Sequence, residues 1–322
     1  MPGDPVAMMM GQRSDIASKE AIEREYGLDQ PLPVQFMHYL NDLSPLSFHE
    51  NTEKNVEKYN YTELIPMGSS IFVAKKPYLR RSFQDNRLVT EVIGQGLGRT
   101  CWLAFAAMFF ATFIGIIMGV FAALNQNTWI DYTLVTGSVF GISIPSFVTG
   151  VLIAFLFAVH WHDWTGLNLY GYIYQVDPFT GGYYEWKNLI LPALTLGIRP
   201  LAIITQLTRS SMLDVMKQDY IRTARAKGLS WSTVVFKHAL RNALNPVVTA
   251  VSGWLASLMA GAFFVEVIFG WGGLGSVTVG AVFTLNFPLV MGATIFVAVL
   301  FIIVNIIVDV LYAVLDPRIR LE

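Results

Sequence analysis

Charge and cysteine are the two things this sequence has least of. Only 14% of its 322 residues are Asp, Glu, Lys or Arg, against about 25% in an ordinary soluble domain. The one cysteine, Cys101, excludes an internal disulfide and any Cys-based metal site. A net charge of −1 gives no whole-chain reason to expect a nucleic-acid partner. No G-x-x-x-x-G-K-[ST] run exists to cradle phosphates, so any ATP that drives this protein is hydrolysed on another polypeptide. No apolar run carries a Ser/His pair, a paired Asp or His-Glu-x-x-His at helical spacing. No catalytic residue is expected, and an intramembrane enzyme is disfavoured.

What the chain has in abundance is apolar residues, 54% of the total with a mean hydropathy of +0.49. They gather in five blocks, approximately 99–124, 132–160, 188–212, 246–268 and 289–315. Each is long enough to cross a hydrocarbon core about 30 Å thick, which takes roughly 20 helical residues. The blocks are too long and too evenly apolar for barrel strands, so the fold class is an all-α integral membrane protein with five transmembrane helices. Gly115 and Gly119 in the first block, and Gly137 and Gly141 in the second, have the small-xxx-small spacing that lets helix backbones approach closely.

Lys and Arg mark the cytoplasmic loops. The 209–245 stretch holds seven (Arg209, Lys217, Arg222, Arg225, Lys227, Lys237 and Arg241) and the C-terminal tail adds Arg318 and Arg320, whereas 161–187 and 269–288 hold only Lys187. This places the C-terminus and the 209–245 loop in the cytoplasm. Residues 1–97 then form an extracytoplasmic N-terminal region, and 98–322 the transmembrane domain. The N-terminal region has ten Lys/Arg and thirteen Asp/Glu but no export signal. A further apolar helix ahead of it is the expectation.

One basic stretch stands between two apolar runs, "DYIRTARAKGLSWSTVVFKHALRNALNP" at 219–246. It reads as two helices with a corner at Gly228, the second capped by Ser230 and running from Trp231 to Leu244 before Pro246 ends it. Contact with anionic lipid is one reading, worth about 1 kcal/mol per charge. A rigid cornered pair suits a second role, transmitting motion from a soluble partner.

Other motifs carry less. Gly270, Gly272 and Gly275 satisfy G-x-G-x-x-G, but in a loop between spans rather than a βαβ unit. "HWHDW" at 160–164 lies in a loop dense in Trp and Tyr, which reads as an interfacial aromatic belt and not as a metal site. Arg199, Glu266 and Asp309 are charges within apolar runs, the positions where translocation paths and gates are found. Arg199 is followed by Pro200, which breaks the helix ladder. Arg199 lines a path or pairs with another subunit's carboxylate; Glu266 meets a docked protein or a gate; Asp309 pairs locally near Arg318.

Several segments together resemble the membrane subunit of the dipeptide/oligopeptide/nickel class of ABC importers. They are "PGDP", "YGLDQPLPVQF" at 26–36, "LPALTL" at 191–196, "DYIRTARAKGL", "HALRNALNP", "GAFFVEVIFGWGGLG" and "DVLYAVLDPRIR". The resemblance implies a family six-helix permease fold, here lacking the first helix, in a bacterial inner membrane. It implies a coupling loop at 213–245 that docks into an ATPase subunit through Thr223, Ala224, Arg225, Ala226, Lys227, Gly228, Leu229 and His238. Ala224 and Gly228 fall on the EAA-xxx-G pattern, while Arg222 and Thr223 replace its Glu and first Ala. The implied partners are a second, homologous permease, two ATPase subunits holding ATP and Mg, an extracytoplasmic solute-binding protein and membrane lipid. Residues 48–76 are longer than the family suggests, and Gly272 stands where proline is usual. The competing class is a stand-alone ion-coupled secondary transporter, which would need inverted repeats and midplane carboxylates that this chain does not display.

Overall fold

The computed structural model describes residues 6, 20, 23–24 and 27–315 apart from 69, 180 and 261, with the side chains of 54, 67, 260, 309 and 311–315 left aside. Two compact units are formed, Met1–Gln95 with Val277–Phe296, and Gly96–Ser276 with Val297–Glu322.

The first unit corrects the all-α expectation. β1 (Leu46–Glu50), β2 (Thr62–Met67) and β3 (Ser70–Ala74) form an antiparallel sheet in the order β1-β3-β2. Residues 48–76 supply most of it, so the unexpectedly long stretch is a folded element. Alternation drives the pairing: Ser47 and His49 of β1 and Ile71 and Val73 of β3 are buried while their neighbours are not, the period-2 pattern of a half-covered sheet. Two helices flank it, Leu32–Leu43 with Pro31 ahead of it, and Glu53–Tyr59 capped by the Thr52 hydroxyl. The buried Asp42 is the polar centre. Its carboxylate accepts from Tyr59 Oη at 2.7 Å and from Arg80 Nε at 2.8 Å, and its backbone oxygen accepts from Lys75 Nζ. Asn286 ties the later segment to the earlier one, donating to Ser82 Oγ at 2.8 Å and accepting from the Phe83 amide at 3.1 Å.

His49 is buried, hydrogen-bonded to Ser47 Oγ at 3.0 Å and stacked on Tyr59. Burial, and then repulsion from Lys75, holds the imidazole below its ordinary value of 6.5. The unfolded chain therefore binds the proton that the folded unit resists. Stability of this unit should be level above about pH 6.5 and fall as the pH drops below it. Hydrogen exchange of residues 46–74 in the intact protein at pH 7.5 and pH 5.5 checks this. Protection should drop at the lower pH, and His49→Gln should remove part of that drop.

The second unit holds the helix Trp186–Met216 and the larger parts of Val89–Leu124 and Phe287–Val308. Among the described residues, three helices are long and apolar enough to cross a membrane, Val89–Leu124, Trp186–Met216 and Phe287–Val308, and a bent pair, Trp129–Ser143 with Ser146–His160, makes up to four. The bend of 107° sits at Ile144 and Pro145. Proline pushes the residue before it out of the helical region, and Ile144 is extended with ψ of 132°. The run expected as one span over 246–268 is divided into Asn245–Ala260 and Phe263–Ile268. Pro246 does not end a helix; it is the second residue of Asn245–Ala260, where its missing N–H is no loss. Pro200 also fails to break its helix, which runs unbroken over Ile190–Met216.

That helix is the axis of the unit, with Leu191, Ala202, Ile204, Thr205, Thr208 and Met212 among its buried residues. Glycines bring its neighbours close. A Cβ on Gly115 would stand 2.9 Å from Ile204, one on Gly119 2.5 Å from Thr208, and one on Gly141 2.5 Å from Ile198. Gly137 meets nothing, so only three of the four small residues act in packing.

Candidate functional site

The basic stretch folds as two helical segments meeting at a corner. Asp219–Ala226 is the first, an amphipathic helix of about two turns whose Ile221 and Ala224 are buried while Arg222, Thr223 and Arg225 are exposed. The chain reverses through Gly228, whose φ of +75° lies in the left-handed region that a Cβ disfavours. Gly228 N–H bonds back to Arg225 O at 2.9 Å and closes the first helix. The second segment starts at Trp231 and continues through the wider π-type turns of Thr233–Leu240 into Arg241–Ala243. Ser230 Oγ meets Thr233 Oγ1 at 2.8 Å at its start, rather than a backbone amide.

Two contacts brace the corner. The Arg225 guanidinium lies 4.4 Å from the Trp231 ring centroid, and Asn242 Nδ2 donates to Tyr220 Oη at 3.0 Å. Beneath them Ile221, Ala224, Val234, Val235, Ala239 and Ala243 pack with Val120 and Ala123 of the first long helix and Met212 of the axial helix. Displacing the corner therefore displaces the ends of two spans, because close-packed interiors transmit strain. Ala226, Lys227, Gly228 and Leu229 form the exposed outer surface, flanked by exposed Trp231 and Phe236, and His238 is half-buried.

The same end carries an ion pair that sequence reasoning missed. Arg209 grips Asp131 with two bonds, Nε–Oδ1 at 2.5 Å and Nη2–Oδ2 at 2.6 Å, and Asp131 Oδ2 also accepts from the Asn127 amide at 3.0 Å. Arg209, expected from the sequence in the cytoplasmic loop, lies within the axial helix. The available signal was Asp131 in the first turn of an apolar helix with no cation near it in sequence. Asp131→Ala leaves the guanidinium half-buried without its partner; a fully buried pair would lose about 3–5 kcal/mol, and the partial exposure of Arg209 makes the loss smaller. Membrane levels should fall, and the exchange Asp131→Arg with Arg209→Asp should recover part of the loss. Immunoblots of membranes measure both.

Glu266, expected at a path or gate, is fully buried, which removes it from contact with a docked protein. Its Oε1 accepts from Thr100 Oγ1 at 2.6 Å and its Oε2 from the Ser276 amide at 3.0 Å. Thr100 Oγ1 in turn accepts from the Leu274 amide at 2.8 Å, and Trp271 Nε1 donates to Arg99 O at 2.8 Å. The carboxylate thus fastens the 270–276 loop to the first long helix. Gly272 has φ of +69°, which proline cannot adopt, so the departure from the family pattern has a conformational reason. Arg199 is exposed near the middle of its span. Asp309 lies on the last helix with its side chain outside the described set, and Arg318 is outside the described residues. Thr223 to Leu229 and His238 lie on the same cornered helix pair; Arg199 and Glu266 are not gathered into one site.

Comparison with known proteins agrees with this architecture. The family model for the binding-protein-dependent transport system inner membrane component matches residues 115–321. The di/tripeptide transport system permease protein DppB of Pseudomonas aeruginosa is 37% identical over 99% of this chain and 90% of its own length. The glutathione transport system permease protein GsiC is 35% identical in Salmonella choleraesuis and 34% in Escherichia coli K12, with the same coverage. Among solved structures, a MetNI methionine ABC transporter chain in an inward-facing conformation aligns with a TM-score of 0.55 at 17% identity, over 70% of this chain and 97% of that one. That likeness shows a shared fold. The chain belongs to the family of binding-protein-dependent transport system inner membrane components and is a permease subunit of an ABC importer.

Proposed function

We propose that this permease carries short peptides, or small solutes like them, inward, and that the cornered helix pair couples it to ATP hydrolysis on partner subunits. The carrying observation is the rooting of 219–243 in the ends of two spans, with a left-handed glycine at its exposed tip. A lipid-binding segment needs charge; it does not need a braced corner packed onto two helices. The relatives' names, a di/tripeptide permease and a glutathione permease, support the solute class.

In this reading two ATPase subunits bind ATP and Mg and take the exposed residues from Thr223 to Leu229, with His238, into a groove. A second, homologous permease completes the pore, and an extracytoplasmic binding protein delivers solute. The C-terminus and 213–245 lie in the cytoplasm, residues 1–97 lie outside, and 98–322 form the transmembrane domain with the divided 246–268 segment as a fifth crossing. Arg199 belongs to the translocation path, and Asp309 pairs locally at the inner end of the last helix. Glu266 acts on the gate indirectly, by holding the 270–276 loop.

Proteoliposomes containing the purified complex test this. Labelled dialanine should enter only with ATP and binding protein present, and this chain should co-purify with ATPase subunits. Uptake that follows an ion gradient and ignores ATP would show a secondary transporter instead.

A further inference from the structure

The axial helix carries two arginines with opposite circumstances. Arg209 is neutralised by Asp131. The side chain of Arg199, near the middle of the same 31-residue stretch, makes no hydrogen bond or ion pair among the described residues. It is the one exposed residue between 191 and 209, a run otherwise buried or half-buried. Gln206 and Ser210 follow it at seven and eleven residues, within about 20° of it around the helix. Gln206 likewise has no partner among the described residues, and Ser210 Oγ donates only to Leu207 O at 3.1 Å within its own helix. Ile203 is the apolar member of this face and is half-buried. An unpaired guanidinium with an amide about 10 Å below it and a hydroxyl beyond is a face that hydrocarbon does not solvate.

We propose that Arg199 is a specificity residue for the moving solute: it receives the free α-carboxylate of a peptide in transit, and Gln206 and Ser210 continue that polar track toward the coupling end. The inference rests on the importer reading above and names the chemistry of one path residue in it. A guanidinium presents a planar fork of donors that matches a carboxylate with two parallel bonds. The α-carboxylate is the acceptor that every unmodified short peptide shares, whatever its side chains. One arginine without a second cation beside it holds such a group loosely, as a path requires, since a site that binds too well does not release.

The test is uptake of radiolabelled trialanine by cells carrying the complete importer, with Arg199 kept or changed to Lys, Gln or Glu. Uptake should follow the charge at this position. Arg199→Lys should keep at least a third, Arg199→Gln should lose at least tenfold, and Arg199→Glu should lose more. The second permease and the ATPases should co-purify in normal amounts with all four. Wild-type uptake by the Gln and Glu variants would overturn the inference. So would a loss of the second permease from the Gln variant, which would make Arg199 an inter-subunit ion pair. If the unsubstituted importer takes up no trialanine, the peptide reading itself fails and this inference with it.

Discussion

Gly228→Asp should abolish uptake while leaving the subunit in the membrane at near-normal levels. The reason lies in the separation of the two costs. At φ of +75° any L-residue is strained, by about 1–2 kcal/mol. A Cβ built there meets nothing within 4 Å, so no clash inside the chain is added. The apolar helices, and the cluster that roots the corner, are untouched. What changes is the exposed tip, which gains bulk and a negative charge next to Lys227. ATPase subunits should therefore fail to co-purify. Gly228→Ala separates the contributions, because it carries the strain without the charge; it should retain measurable uptake. A Gly228→Asp protein that is degraded rather than inserted would show that the corner serves folding and not docking.

Glu266→Ala should be the most damaging single change outside the coupling segment. Both carboxylate oxygens are used, and removing them leaves the Ser276 amide and the Thr100 hydroxyl without their acceptor in a buried place. Each orphaned group costs about 1–3 kcal/mol. The loop packs too tightly to find substitutes. A Cβ on Gly273 would come 2.5 Å from Glu266 Oε1, and one on Gly275 2.6 Å from Phe263 Cα. The 270–276 loop should detach from the first long helix, and its protection against proteolysis should drop together with uptake. Glu266→Gln keeps an acceptor for Thr100 but turns a donor toward the Ser276 amide, so its loss should be intermediate. Gly273→Ala should resemble Glu266→Ala, since it displaces the same carboxylate. Unchanged proteolysis of the loop in Glu266→Ala would remove the clasp role.

The sequence made the long apolar helices and the basic corner visible because both rest on local signals. Runs of twenty apolar residues and a glycine between two helix-compatible stretches need no tertiary information, and Gly228 takes the left-handed conformation that its position suggested. The bend at Ile144–Pro145 is equally local, but the apolar run around it hides the break. Pro200 and Pro246 are breakers by a rule that holds for isolated helices. In the structure the first is held by packing on several sides, and the second starts a helix. The three-stranded sheet escaped because residues 46–74 alternate weakly, with polar Ser47 and His49 in the positions that face inward. Asp131–Arg209 and Glu266–Thr100 join residues 78 and 166 apart in the chain, and no single-sequence pattern pairs such groups.

The central claim is that the outer surface of 223–229 meets an ATPase subunit rather than lipid. A photo-crosslinking residue at Leu229, which is exposed at the corner, tests it in intact membranes. On illumination the adduct should carry the mass of this chain plus one ATPase subunit, and it should disappear when Gly228→Asp is combined with the label. An adduct with phospholipid alone, in membranes where the importer is active, would contradict the account.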